Sequence, residues 1–351
     1  MELPPIRPPD ADVTAAARQH LDSLTKPQGS LGKLEHLGAW WCETTGFPPK
    51  PIARPRLITF AADHGVTAAG VSPYPSAVTV QMVLNFLAGG AAVNVFARHH
   101  GVDLWVVDAG VAGDLSACQD TEHARFQGRK VRAGTGNMVV EAAMSRSEAE
   151  AAVRLGMALA DEAANEGVDV LGAGEMGIGN TTSAAACLSV VAGMPGKLTA
   201  GRGTGADDAC LARKVAAIDT AIALHRPERD DAIGILAAVG GLEIAAIAGL
   251  CIGGAARGVP VILDGFISTA GGMLASVLTR DVLPYVVVSH KSAENGHWAM
   301  ARMLGKEPIH DLELRLGEGT GAILAIDTLR LASKVMREMA TFASAGVSER
   351  G

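Results

Sequence analysis

Two glutamates set in glycine-rich segments are the residues of this chain best suited to chemistry. Glu318 stands between Gly317 and Gly319 in Leu314-Arg315-Leu316-Gly317-Glu318-Gly319-Thr320-Gly321-Ala322, ahead of an apolar run. With no neighbouring Cβ in the way, a flat ligand can approach that carboxylate closely. A carboxyl near a helix start gains ~0.3–1 kcal/mol from the dipole, which accounts for an acid there but not for glycine on both sides. Raised by burial, it is a usable base near neutrality. Glu175 repeats the arrangement in Gly174-Glu175-Met176-Gly177-Ile178-Gly179-Asn180-Thr181-Thr182. The pair indicates a site that handles a proton, a phosphate or both.

Around them lie groups suited to holding an anion. Gly177, Gly179, Asn180 and Thr181 offer free N–H groups and hydroxyls at a helix start, where an anion is favoured. No Lys follows the last glycine, so this is not a Walker A loop, and the dinucleotide fingerprint spacing is absent. A tight turn with Asn180 or Thr181 as an ordinary N-cap reads equally well. A second glycine loop, Gly201-Arg202-Gly203-Thr204-Gly205, precedes a helix that Asp207 would cap, with Lys214 or Arg202 reaching a phosphate. A flexible connection with solvated charges is the alternative. Ser292, after an apolar strand, is a third phosphate contact. His290, His297, Asp63, His64 and Asp264 match no metal-ligand spacing; hydrogen-bonding and capping roles suit them, and no metal is expected. Beyond Ser72-Pro73-Tyr74-Pro75-Ser76, Gln81 could hydrogen-bond a heterocycle, with Met82 and Phe86 lining an apolar slot or simply packing in the core.

The elements that must position these groups are strand–loop–helix units. Apolar, β-branched runs at Leu57–Ala61, Val102–Val107, Val168–Leu171, Val259–Leu263 and Tyr285–Val288 each end in polar punctuation. This alternation predicts an α/β fold, a mostly parallel sheet with helices on both faces, and puts the polar groups at the strands' carboxyl ends, where ligands bind. Helical patterns run from Ala11 to Leu24, from a capping box at Ser145–Glu148 to near Asn165, and from Ala322 to Phe342, after which residues 343–351 should fray. The expected division is a large α/β catalytic domain over 51–321 and a small helical domain from 1–50 with part of 322–351.

Composition bounds the rest. The 351 residues are 48% apolar but only 4% aromatic, so the core must be Ala, Val, Leu and Ile at close backbone spacing. A net charge of −7 without basic blocks argues against nucleic acid. Five cysteines without paired spacing suit a reducing compartment. The first residues, MELPPIRPPD, carry no basic-then-apolar signal pattern, and the expectation is a cytoplasmic protein. The apolar stretch Ala232–Ala256 contains Glu243 and several glycines, which favours buried helices, with a subunit contact as one place for them, over a membrane span.

Taken together, TKPQGSLG (Thr25–Gly32), Asp63-His64-Gly65-Val66, GEMGIGNTT, GRGTG, Leu263-Asp264-Gly265-Phe266, SHKSAE and LRLGEGTGA occur in that order over nearly the whole chain. The set resembles the nicotinate-nucleotide:dimethylbenzimidazole phosphoribosyltransferases, the CobT family. The resemblance implies a Rossmann-like sheet, a small helical domain and a homodimer. It implies transfer of ribose 5-phosphate from nicotinate mononucleotide to 5,6-dimethylbenzimidazole, giving α-ribazole 5′-phosphate and nicotinate for the cobalamin lower ligand. It makes Glu318 the general base, with Glu175 in the same site. Gly177, Gly179, Asn180, Thr181, Gly203, Lys214, Gly265 and Ser292 would surround phosphate and ribose; Ser76, Gln81, Met82, Phe86, Met176 and Leu316 would meet the base. No cofactor is implied. The chain departs from common members at Ala142–Ser145, at Asn295 and at Ser76-Ala77, the last bordering the base pocket, so other azoles and adenine stay open as acceptors. A nucleotide hydrolase with Glu318 activating water, and a non-catalytic binding homologue, are the competing readings.

Overall fold

The computed structural model describes residues 1–203 and 205–348. Thr204 of the second glycine loop and the end of the tail expected to fray, residues 349–351, lie outside the described residues. Helices α1 (Ala11–Ser23) and α2 (Lys33–Thr45) open the chain, α1 capped by the Asp10 carboxylate, which accepts the Asp12 N–H at 2.8 Å. Then follow β1 (Pro55–Ala62), a 3-10 turn at Gly65–Ala69, α3 (Ala77–Leu87), α4 (Ala92–His100), β2 (Asp103–Gly110) and β3 (Arg125–Gly128). The middle runs α5 (Arg146–Asn165), β4 (Val170–Met176), α6 (Asn180–Ala192), α7 (Gly196–Thr199), α8 (Asp208–His225), α9 (Ala232–Val239) and α10 (Leu242–Arg257). The chain continues through β5 (Val261–Leu263), α11 (Phe266–Leu278), β6 (Val286–Val288), α12 (His297–Met303), α13 (Thr320–Glu338) and α14 (Phe342–Ala345).

All strand pairs of the six-stranded sheet are parallel, in the order β3-β2-β1-β4-β5-β6. Parallel strands need both faces covered, and alternate residues serve two cores. Ile58, Phe60, Trp105, Val107, Leu171, Ala173, Val261 and Leu263 face the core shared with α5, α6 and α9–α11. Leu57, Ala61, Leu104, Val106, Val170 and Ile262 face the opposite core with α2, α3, α4 and α13. The predicted architecture is therefore the observed one. Strand ends differ. β4 runs on through Gly174, Glu175 and Met176, and β2 through Asp108-Ala109-Gly110, because these residues stay in ladder register with β1. The edge strand β3, partly exposed and short, carries no apolar run to betray it. α13 begins at Thr320 and stops at Glu338, and the tail re-forms a short helix, α14, whose N-cap is Thr341.

The scarcity of aromatics has a visible counterpart. α5 and α10 cross so closely that a Cβ on Gly156 would meet the Ala246 carbonyl, and one on Gly249 the Val153 carbonyl. Larger residues there would push two backbones apart. The stretch 232–256 is thus α9 and α10, broken at Gly240-Gly241 and buried against α5 and α11 of this same chain, so no subunit contact is needed to cover it. Residues 77–100 are long and apolar enough to cross a membrane, with a mean hydropathy of 1.5 over their most apolar 18-residue window. They form two helices, α3 and α4, separated by Ala88–Ala91, and contribute Val83, Phe86, Leu87, Val93 and Ala97 to the second core. A third small core joins α1, α2 and the end of α13 through Ala17, Leu21, Cys42 and Met336.

Candidate active site

Strand order reverses between β1 and β4, and a crevice outside the carboxyl ends at such a point is where open α/β sheets bind ligands. Glu175 is the penultimate residue of β4, in register with Phe60, so the sheet ladder sets its direction; it lies in the strand and not in a loop beyond the run expected to end at Leu171. Its carboxylate is buried and accepts a short hydrogen bond from Asn180 Nδ2. Burial drives the Glu175 carboxyl well above its ordinary value, and the charges of Asp264, Glu243 and Glu318 push the same way.

Glu318 is held in an unusual backbone. Gly317, Glu318 and Gly319 all have positive φ, at 82°, 65° and 99°. For glutamate this costs about 1–2 kcal/mol, and it persists because the surroundings over-determine it. The Glu318 N–H donates to the Glu175 carbonyl at 3.1 Å, and Thr59 Oγ1 donates to the Glu318 carbonyl at 2.8 Å. Asp264, beyond β5, receives the amides of Gly319, Gly321 and Ala322 at 3.0, 2.7 and 3.1 Å, capping α13. The flanking glycines are therefore needed for conformation as well as access. The buried Glu318 carboxylate accepts the Val93 N–H at 3.3 Å, at the start of α4. Burial raises the Glu318 carboxyl, the Val93 amide opposes, and Asp264 adds to the rise.

One cavity gathers most of the anticipated groups. Its lining includes Glu175, Met176, Gly177, Asn180, Thr181, Gly203, Gly265, Ser292 and Leu316, together with the unanticipated His290, Glu294 and Arg315. An adjoining hollow takes in Gly179 and Lys214 beside Gly177, Asn180 and Thr181. Lys214 is buried, its Nζ bonded to Thr181 Oγ1 at 2.9 Å and the Gly201 carbonyl at 3.0 Å. Burial lowers the Lys214 ammonium and Glu294 opposes. A roomier hollow of about 440 Å³ lies between α1 and α2, where Arg18 is paired with Glu43 and Glu35 with Lys26.

Four of the residues assigned to the base stand apart from that cavity's lining, on or before α3. Ser76 Oγ bonds Thr67 Oγ1 at 3.0 Å, Gln81 is exposed, Met82 is half-buried and Phe86 is fully buried. Met82, Phe86 and Met176 do share one apolar cluster, and Thr79, missed in the sequence, ties α3 to the glycine loop by accepting the Ile178 N–H at 3.2 Å. Phe86 is a core residue first, since aromatic burial on the sheet side of α3 outweighs any exposed role.

The five residues weighed as metal ligands have separate employments. Asp63 accepts the Ala112 N–H at 2.8 Å, Asp264 caps α13, and His290 stacks on His297 at 6.2 Å. His297 accepts the Ser292 N–H at 3.1 Å through Nδ1; burial depresses its pKa to about 3, so it is a neutral acceptor that fixes Ser292. His64 bridges Ser183 Oγ at 3.0 Å and Glu243 Oε1 at 2.7 Å, all fully or nearly fully buried, directly behind Gly177 and Gly179. Removing one partner of such a buried hydrogen-bonded pair leaves the other's polar group unsatisfied, at about 1–3 kcal/mol. Glu243→Ala is expected to lower the unfolding free energy in urea by that much; an unchanged midpoint would show that the pair contributes nothing.

An α/β fold with a glycine-rich helix start and two buried carboxylates at its switch point suits a nucleotide-handling enzyme. The chain belongs to the phosphoribosyltransferase family, whose sequence profile matches residues 6–347. It is 49% identical over 345 residues to the nicotinate-nucleotide--dimethylbenzimidazole phosphoribosyltransferase of Chloroflexus aggregans, covering 98% of this chain and 96% of that one. Identity to the protein of the same name from Roseiflexus sp. is 50% over 343 residues, covering 98% and 96%. The crystal structure of CobT from Thermus thermophilus superposes with a TM-score of 0.91 at 44% identity, over 97% of this chain and 100% of that chain.

Proposed function

We propose that the protein transfers the phosphoribosyl group of nicotinate mononucleotide to 5,6-dimethylbenzimidazole, forming α-ribazole 5′-phosphate and nicotinate in assembly of the cobalamin lower ligand. The observation that carries the residue roles is the buried, left-handed Glu318 tied through its own backbone to Glu175, beside the glycine loop at the start of α6. The benzimidazole imine nitrogen attacks C1′ and the C1′–nicotinate bond breaks, its electron pair neutralising the pyridinium. The ring's other N–H then gives its proton to Glu318. Attack opposite the leaving group turns the β-bond into α. The helix start, Thr181, Lys214 and Ser292 hold the phosphate and supply orientation. The same reading carries a homodimer, a cytoplasmic location, and a helical unit of residues 1–50 with part of 322–351 beside a catalytic unit of 51–321.

Proton NMR of the purified protein with both substrates tests it. α-Anomeric ribazole phosphate with free nicotinate is the expected result. Nicotinate alone would favour hydrolysis, and no change would refute this acceptor or this activity. The pH profile tests the base. Protonated Glu318 cannot accept the proton, so kcat/KM falls on acidification, with a midpoint above the ordinary glutamate value of 4.5 because burial raises it. A midpoint at or below 4.5 would remove Glu318 from that role.

A further inference from the structure

The cavity at the switch point has a charge imbalance. Glu175 and Glu294 line it, with Glu318 and Asp264 close behind, yet the ligand of the function proposed above carries a phosphate and a carboxylate. Among the described residues of its lining, Arg315 is the only permanent cation. Arg202 is engaged by Asp208 and the Ala206 carbonyl, and Lys291 by Asp311. Arg315 has one polar contact among the described residues, from Nη1 to the Gly203 carbonyl at 3.2 Å. Its side chain is otherwise exposed, and four of its N–H donors have no partner among the described residues. Gly203 packs against Lys214 and Thr181, so the contact points the guanidinium at the glycine loop. Arg315 also lines the hollow on the far side of that loop, with Arg202 and Asn295.

We propose that Arg315 binds the nucleotide phosphate directly, as the second cation beside Lys214. A guanidinium fork suits phosphate oxygens, and charge-assisted bonds of this type change affinity roughly ten- to a hundredfold. The inference rests on the phosphoribosyl-transfer reading, and turnover of nicotinate mononucleotide with dimethylbenzimidazole by the parent enzyme checks that reading separately. Arg315→Met should raise KM for nicotinate mononucleotide by roughly ten- to a hundredfold, leave KM for the benzimidazole unchanged, and leave the melting temperature unchanged. Arg315→Lys, which keeps charge but loses the fork, should fall between. Inhibition by ribose 5-phosphate should weaken in Arg315→Met, whereas inhibition by nicotinate should not. An unchanged KM for the nucleotide in the folded variant, or weakening confined to nicotinate, would overturn the assignment.

Discussion

Glu318→Gln is expected to lose about 10²–10⁴-fold in turnover while binding nicotinate mononucleotide as tightly as the parent. The amide is the same size and keeps the left-handed backbone, which depends on Gly317, Gly319, Thr59 and Asp264 and not on the carboxylate. It still accepts the Val93 N–H through oxygen. What it cannot do is take a proton from the benzimidazole. The phosphate contacts proposed above lie on other elements, the start of α6, Lys214 on α8 and the Ser292 loop, so nucleotide affinity should survive. Single-turnover kinetics with calorimetric titration of the nucleotide separate the two effects. Full turnover in Glu318→Gln would refute the assignment. Glu175→Gln then decides between the carboxylates. Its partner Asn180 would face an amide in place of a carboxylate, so some loss is expected there, in nucleotide KM more than in turnover.

The fold was legible because period and punctuation agreed: every predicted strand exists, although β2 and β4 run on past the ends of their apolar runs. What lay beyond reach was contact made by ordinary residue types at long separation. Thr59 and Thr79 look like any threonine in an apolar run, yet one fixes the Glu318 carbonyl and the other joins α3 to the glycine loop before α6. Val93 contributes only an amide, and an amide carries no side-chain signal. Glu175 reads as a loop residue because Gly174 and Gly177 look like turn signals. Gly174 instead leaves room for the Glu318 backbone to lie against β4. Glycine marks close approach of two chains as readily as a bend, and sequence pattern does not separate those causes. Asp264 and His297 invite comparison with metal ligands; their partners are backbone amides, which no spacing rule registers.

Asp264 leads to the second large expected effect. Its carboxylate is buried and accepts three backbone amides, two through Oδ1 and one through Oδ2, and these amides belong to the residue after Glu318 and to the first turn of α13. Burial raises its carboxyl, and the His290 imidazole 3.7 Å away and the three amides pull against that rise. In Asp264→Asn one acceptor becomes an NH₂ group. In either orientation that group meets at least one backbone N–H, leaving a buried donor unsatisfied at about 1–3 kcal/mol. The nearest relief is rotation of the Gly319 peptide, which moves Glu318 out of its left-handed setting. A displacement of about 1 Å at a reacting group can cost ~10²-fold in rate. Asp264→Asn should therefore lose roughly that much in kcat and melt earlier, with KM for the nucleotide close to the parent's because the α6 loop is untouched. Asp264→Glu, which retains the charge but is one methylene longer in a site enclosed by β5, α13 and His290, should not restore the rate. Reduced stability with an unchanged kcat would mean that Thr59 and the Glu175 carbonyl hold Glu318 without help from the cap.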